Sequence, residues 1–195
     1  MRPGSLAPLC GLVLVFLSHP SAASNDGVDL SELMATLARV ETAGGRFVER
    51  KYLSVLNEPL VLRGTVIYRA PDYVMKAYDE PYGERYEVRG DRLTVELSDG
   101  RRRELGIDEH PVLRAFVESY RGTLSGDLDT LRRYFDLELG GTMDEWRLLL
   151  VPKLAELKEY LTSVVVLGRG GHVYEVHTRE AGGDLSVMTL EDSSG

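Results

Sequence analysis

Hydrophobic positions along the chain change period three times, and each change marks an element. In "VDLSELMATLARVETAGG", Leu30, Leu33, Met34, Leu37 and Val40 recur at helical spacing, and Gly44-Gly45 stops the pattern. From Arg46 the period is two. Strands are expected at about 46–54, 60–69, 72–79, 84–89, 92–97 and 101–106, separated by turn signals such as Glu58-Pro59, Ala70-Pro71 and Arg89-Gly90-Asp91. Asp99-Gly100 predicts a type I′ hairpin turn. Helical spacing returns in "DEHPVLRAFVESYRG", with Pro111 in the first turn and Leu113, Phe116, Val117 and Tyr120 sharing a face. "GDLDTLRRYF" reads as a third helix capped by Asp127, with Leu128, Leu131 and Phe135 on one side. Sheet then resumes in "EWRLLLVP", "YLTSVVVLG", "HVYEVHTRE" and "DLSVMTL". The expected order is helix, six strands, two helices, four strands: one α+β domain, residues 24–195, around a largely antiparallel sheet.

The residues before that helix follow another logic. Arg2 is the only charge before Asp26, and "LAPLCGLVLVFL" is an apolar run of h-region length followed by small residues at Ser21 and Ala23. Residues 1–23 are therefore expected to be a cleaved signal peptide, taking Cys10 with them and leaving a chain without cysteine. Export without disulfides points to a bacterial periplasm. With 23 basic and 31 acidic residues the net charge is −8, and loss of Arg2 takes it to −9. Such a balance argues against nucleic acid or an anionic lipid surface as an electrostatic partner.

Catalytic and metal signatures are sparse. His172 and His177 stand five apart on one expected strand, so they face opposite sides and cannot share a metal; His110 sits at a helix start. No nucleophile elbow, Walker loop or dinucleotide fingerprint occurs. "GRGG" (168–171) and "AGGD" (181–184) precede no helix and read as hairpin turns, "RGD" (89–91) reads as a tight turn, and "RRR" (101–103) as a solvated strand edge. What the chain supplies in quantity is apolar strand and helix faces. In "EWRLLLVP" Trp146, Leu148 and Leu150 share one side, and in "GTVIYRAP" Val66 and Tyr68 do. Periodicity leaves two uses for such faces: a packed core, or a cavity between sheet and helices.

A resemblance narrows the choice. Phe47, Gly64, Val66, Pro71 and Pro81, followed by Gly126-Asp127 and by Trp146, Leu148, Leu150 and Pro152, resemble in their order the LolA family of periplasmic outer-membrane lipoprotein carriers. The resemblance implies an incomplete antiparallel β-barrel with helices covering its concave side and an apolar cavity that takes up acyl chains. It implies a monomeric carrier or chaperone, without cofactor or metal, that shields a lipid or lipoprotein acyl chains between an inner-membrane donor and an outer-membrane acceptor. The candidate cavity walls are Val66, Tyr68, Val74, Leu113, Phe116, Tyr120, Trp146, Leu148, Leu150, Val164 and Val166. Two positions depart from the family pattern. Ala70 stands where those carriers place an Arg implicated in switching the lid, and Lys76 stands where they have Trp. The rival readings are a lipid- or peptide-sensing module on the same fold, and a hydrolase of envelope lipids, for which Ser163, His172 and Glu175 are the places to look.

Overall fold

The computed structural model describes residues 27–191, so the expected leader lies outside the described residues. Asp29 caps the first helix, α1 (Leu30–Leu37), its Oδ1 accepting from the backbone N–H groups of Ser31 and Glu32. Six strands follow: β1 (Thr42–Tyr52), β2 (Leu60–Arg69), β3 (Tyr73–Tyr78), β4 (Arg85–Arg89), β5 (Arg92–Glu96) and β6 (Arg102–Gly106). A 3-10 turn (Ile107–Glu109) leads into α2 (Pro111–Ser125) and α3 (Leu128–Tyr134). The chain closes with β7 (Phe135–Thr142), β8 (Glu145–Pro152), the short α4 (Ala155–Lys158), β9 (Leu161–Arg169), β10 (His172–Glu180) and β11 (Leu185–Leu190).

The eleven strands of the described residues form one antiparallel sheet in the order β6-β5-β4-β3-β2-β1-β11-β10-β9-β8-β7. The first and last strands meet in its middle, and the chain meanders outward from them to both edges. The only route from edge strand β6 to edge strand β7 is the segment holding α2 and α3. Eleven strands about 4.8 Å apart would span about 48 Å if flat, whereas α2 and α3 end to end measure about 33 Å. Even that length is not reached, because α3 folds back at Gly126 with Leu131 packed on Gly122, and the sheet curls toward its helices, giving the expected half-barrel with helices over the concave side.

That crossover divides the interior. One core cluster joins α1, α3 and α4 to strands β7–β10 through Leu33, Leu37, Leu131, Trp146, Leu148 and Leu157. A smaller one joins α2 and the 3-10 turn to β4 and β5 through Val88, Leu93, Ile107 and Val117. The short sequence patterns find their reasons here. Gly126 ends α2 with φ 67°, and a Cβ there would lie 2.1 Å from the Met34 carbonyl oxygen of α1, so both backbone conformation and packing require glycine. Asp127 caps α3 by accepting from the N–H of Thr130 at 3.0 Å. Trp146 is fully buried, and its Nε1–H donates to the Gly170 carbonyl at 2.9 Å.

Several expectations are corrected. The first helix stops at Leu37, and β1 begins at Thr42 and runs through Gly44-Gly45, because Thr42–Gly45 pair with Val66–Arg69 and a backbone ladder needs no side chain. Phe135 is not helical. It opens an additional strand, β7, whose Phe135, Leu137 and Leu139 alternate with Asp136 and Glu138, so five strands rather than four follow the helices. The loop joining β5 and β6 is not a type I′ turn: Gly100 alone has positive φ (81°), Gly100 N–H bonds the Leu97 carbonyl, and Leu97 N–H bonds the Arg101 carbonyl. That is the longer loop with a single left-handed glycine. Arg101, Arg102 and Arg103 are exposed at the β6 edge, where charge discourages pairing with another chain.

Replacing Gly126 by Ala should lower the unfolding free energy by about 2 kcal/mol or more, since the strained φ and the clash with Met34 act together. Urea unfolding measures it, and an unshifted midpoint would show that the junction between α1, α2 and α3 is not rigid.

Candidate functional site

Between the two core clusters the concave face is not filled. A cavity of about 250 Å³ lies there, its floor made by strands from both halves of the sheet and its roof by the second half of α2. The roof residues explain the gap. Ser119 and Thr123 are buried, small, and turn their hydroxyls back onto their own helix, donating to the Phe116 carbonyl at 2.7 Å and the Ser119 carbonyl at 2.8 Å. They present methylene and methyl groups without filling the space. Exposed members of the lining, Gly44, Tyr120, His172 and Glu191, mark its mouth.

Of the candidate wall residues, Val66, Tyr68, Val74, Tyr120, Leu150, Val164 and Val166 line this cavity. The other four do not. Leu113 packs against the smaller core, Phe116 against the larger, and Trp146 and Leu148 are fully buried within the larger core. Strand phase puts Leu148 and Leu150 on the same face, but only Leu150 meets the space that α2 leaves open. Residues that sequence reasoning passed over complete the walls: Tyr86 and Val88 from β4, and Val176, Met188 and Leu190 from β10 and β11. Their alternation is in the sequence; β4 reaches the cavity by pairing with β3, whereas β10 and β11 come to the same site only because β1 and β11 pair in mid-sheet.

A polar cluster stands beside these apolar walls. Glu49, 4 % exposed, points to the concave side of β1. Its Oε2 accepts from Lys76 Nζ at 2.9 Å and from the Tyr78 hydroxyl at 2.7 Å, and its Oε1 accepts from the Ser186 hydroxyl. Lys76 belongs to β3, so the ion pair crosses β2, and it does so over Gly64. A Cβ at Gly64 would lie 2.8 Å from the Phe47 ring and 2.0 Å from the Ala77 carbonyl oxygen. The absence of a side chain there lets Phe47 settle on β2 and lets Lys76 reach over it. The ammonium rests 5.0 Å and 4.9 Å from the ring centroids of Phe47 and Tyr78, which meet edge to face. Burial alone would raise the Glu49 carboxyl, but the Lys76 charge and the bonds from Ser186, Lys76 and Tyr78 outweigh it and hold the group below the usual carboxylate range. Burial lowers the Lys76 ammonium against the pull of Glu49. Burial, followed by the Glu49 charge, raises Tyr78, and burial with Glu84 pushes Tyr86 up to about 12.

The hydrolase candidates are dispersed. Ser163 pairs with Arg179 while Glu175 pairs with Leu167, four positions away along the ladder. Glu175 is engaged by His177 at 2.6 Å and by Thr189 at 3.2 Å, and His172 lies at the cavity mouth. No nucleophile, base and orienting acid are brought together by these residues.

A family model described as outer membrane lipoprotein carrier protein LolA-like matches residues 22–194. The chain belongs to this LolA-like family. No curated protein matches it significantly. Among solved structures, a DUF1329 family protein from Desulfovibrio piger is similar at 14 % identity over 84 % of this chain and 89 % of that one, with a TM-score of 0.50. A LolA superfamily protein from Nitrosomonas europaea is similar at 11 % identity over 85 % of this chain and 92 % of that one, TM-score 0.45. The MucA/MucB complex of Pseudomonas aeruginosa contains a chain similar at 14 % identity over 84 % of this chain and 56 % of that one, TM-score 0.47.

In this LolA-like chain the residue before Pro71 is Ala70, which is exposed. Its neighbour Arg69 cannot substitute for an inward arginine. Tyr68 faces the cavity, so Arg69 lies on the opposite side of β2, where its guanidinium sits 5.5 Å from the Tyr73 ring centroid. The arginine that ties helix to sheet comes from the roof itself. Arg121 of α2 donates to the Gly90 carbonyl in the β4–β5 turn and to Glu118, both at 3.3 Å.

The Glu49 cluster carries a pH signature. Its folded-state pKa is depressed, so its stabilising contribution is complete above the ordinary value near 4.5 and is lost as pH falls through the folded value. Glu49→Gln should cost about 2 kcal/mol at pH 7, less than a fully enclosed pair because the Lys76 side chain is 27 % exposed. Denaturant melts from pH 7 to pH 3 should show wild type and variant converging in acid. A constant difference across that range would contradict the assignment.

Proposed function

We propose that this chain is an exported carrier that shields an acyl chain, of a lipid or of a lipidated protein, in the cavity between its two cores and passes it toward the outer membrane. The observation that carries the proposal is a largely apolar cavity of about 250 Å³, roofed by Ser119, Tyr120, Thr123 and Leu124 and flanked by two core clusters. Membership of the LolA-like family and a leader-like N-terminus support the envelope location.

The energetics suit a carrier. At about 30 Å³ for each water-sized group, the cavity accepts roughly eight methylenes. At about 0.8 kcal/mol each, their burial contributes on the order of 6 kcal/mol before ordering costs. That holds a chain in transit and still permits a hydrophobic acceptor to take it. Such transfer breaks and forms no covalent bond, so it needs no convergent catalytic set. Release requires the roof to move, and α2 is suited to this: its C-terminal half covers the cavity with buried Ser119 and Thr123 and with the partly exposed Tyr120 and Leu124, and Arg121 latches it to the Gly90 turn.

Protein taken from a native periplasm should yield co-purifying acyl chains by lipid mass spectrometry, and consistently empty preparations would contradict the carrier role. Val74→Glu, at a half-buried wall position, should leave the circular dichroism spectrum native and reduce uptake of a fluorescent acyl probe at least tenfold. Leu148→Glu, in the packed core, should instead prevent folding.

A further inference from the structure

We propose that the ligand of this cavity is an amphiphile with a single apolar chain and an anionic head, a carboxylate or a phosphate monoester, anchored by the Lys76 ammonium with the Tyr68 hydroxyl as a second donor. The proposal rests on the acyl-chain reading above and specifies the polar end of that ligand.

Tyr68 supplies the first observation. The residue is 2 % exposed, lines the cavity, and its hydroxyl is buried without a hydrogen-bond partner among the described residues. Buried hydroxyls are nearly always paired. One that is left open on a cavity wall marks a place where the occupant brings an oxygen. Burial pushes this phenol up, so it stays protonated and able to donate.

The second observation is the state of the charges around the polar cluster. Glu49 is saturated, accepting from Lys76, Tyr78 and Ser186. Lys76 is not. An ammonium has three donors, of which Glu49 takes one; the rings of Phe47 and Tyr78 attract the charge without offering lone pairs in the plane of a normal acceptor. Lys76 is itself part of the cavity lining, whereas Glu49 is not. Lys51 stands close enough to oppose the Lys76 charge and lies 5.9 Å from the Tyr78 ring centroid, so two cations face one carboxylate. Glu191 also lines the cavity, but at the mouth, where it faces Arg46. Glu84 accepts from the Tyr86 hydroxyl at 2.7 Å. Around Tyr68 the charges oppose one another: Arg121, which is bonded to Glu118, acts on it together with the Asp72 carboxylate. At the Lys76 end of the cavity, two lysines beside the single, saturated Glu49 favour an anionic head, disfavour an amine, and leave Lys76 without a full set of acceptors when the head is a neutral alcohol.

Position agrees with chemistry. Tyr68 pairs with Val74 across β2 and β3, and Lys76 is the next residue of β3 on the same face, paired with Val66. The two donors therefore share one wall of the cavity, while Val164, Val166 and Leu150 supply an apolar wall from the other half of the sheet.

Isothermal titration of the exported chain with decanoic acid, decyl phosphate, decanol and decylamine at pH 8 tests this. One or both anions should bind at least tenfold more tightly than decanol, with decylamine weakest, and the tighter anion identifies which head the site takes. Lys76→Met should bring the anions and decanol within threefold of each other. If that variant fails to fold, Lys76→Met combined with Glu49→Gln removes both charges together and should have the same effect. Tyr68→Phe should weaken anion binding severalfold. Decanol binding as tightly as the anions, or a preference for anions that survives the double substitution, overturns this proposal and leaves the acyl-chain cavity standing. Failure of all four ligands to bind overturns the cavity reading and this proposal with it.

Discussion

The two edges of the sheet are joined by a single helical crossover, and the rest of the molecule follows from how far that crossover reaches. β6 and β7 lie at opposite edges of eleven strands, with α2 and α3 between them in sequence. A flat sheet would hold its edges farther apart than α2 and α3 span once α3 has folded back on α2, Leu131 against Gly122, so the sheet curls. The same crossover is too small to cover all of the concave face it creates. α3 settles with α1 and α4 on one half, α2 leans on the other half through Val117 beside Ile107 of the 3-10 turn while its Ala115 reaches the first, and the ground between is left as a cavity. The cavity is thus a consequence of connectivity, kept open by Ser119 and Thr123 where larger apolar residues would have closed it.

Within that frame a few small residues decide what happens locally. Gly126 allows α2 to turn into α3 against the backbone of α1. Gly64 allows Phe47 and Lys76 to pass over β2, which places an ion pair and two aromatic rings at one side of an otherwise apolar wall. A buried ion pair is a doubtful source of stability against an apolar replacement, so its value here is better sought in what it offers a ligand. Lys76, at a place where the carriers that this chain resembles have an aromatic residue, is the side chain through which the cavity departs from a purely apolar one.

The sequence told strand from helix well where alternation was clean, as in β2, β3 and β9, and where caps were explicit, as at Asp127 and Pro111. It misled at Phe135, because Leu128, Leu131 and Phe135 fit helical spacing while Phe135, Leu137 and Leu139 fit a strand, and pairing with β8 settled the choice. It also misled at Gly44-Gly45, where the ladder with β2 overrode the glycine signal. The division between wall and core was not legible at all. Leu148 and Leu150 have the same residue type, strand and phase, and differ only in what lies above them. Glu49 was hidden for a similar reason: Phe47, Glu49 and Lys51 share a face, but nothing local shows that β3 and β11 bring Lys76, Tyr78 and Ser186 to that carboxylate.

A carrier role requires an apolar chain to occupy the space between the two cores. With valine and leucine methyl groups labelled with carbon-13 and the chain loaded with decanoic acid, nuclear Overhauser contacts report which methyls touch the ligand. Contacts are expected from Val66, Val74, Val164, Val166 and Leu150, drawn from both halves of the sheet, and none from Leu148. Contacts confined to the convex face, or to one half of the sheet only, would contradict that role.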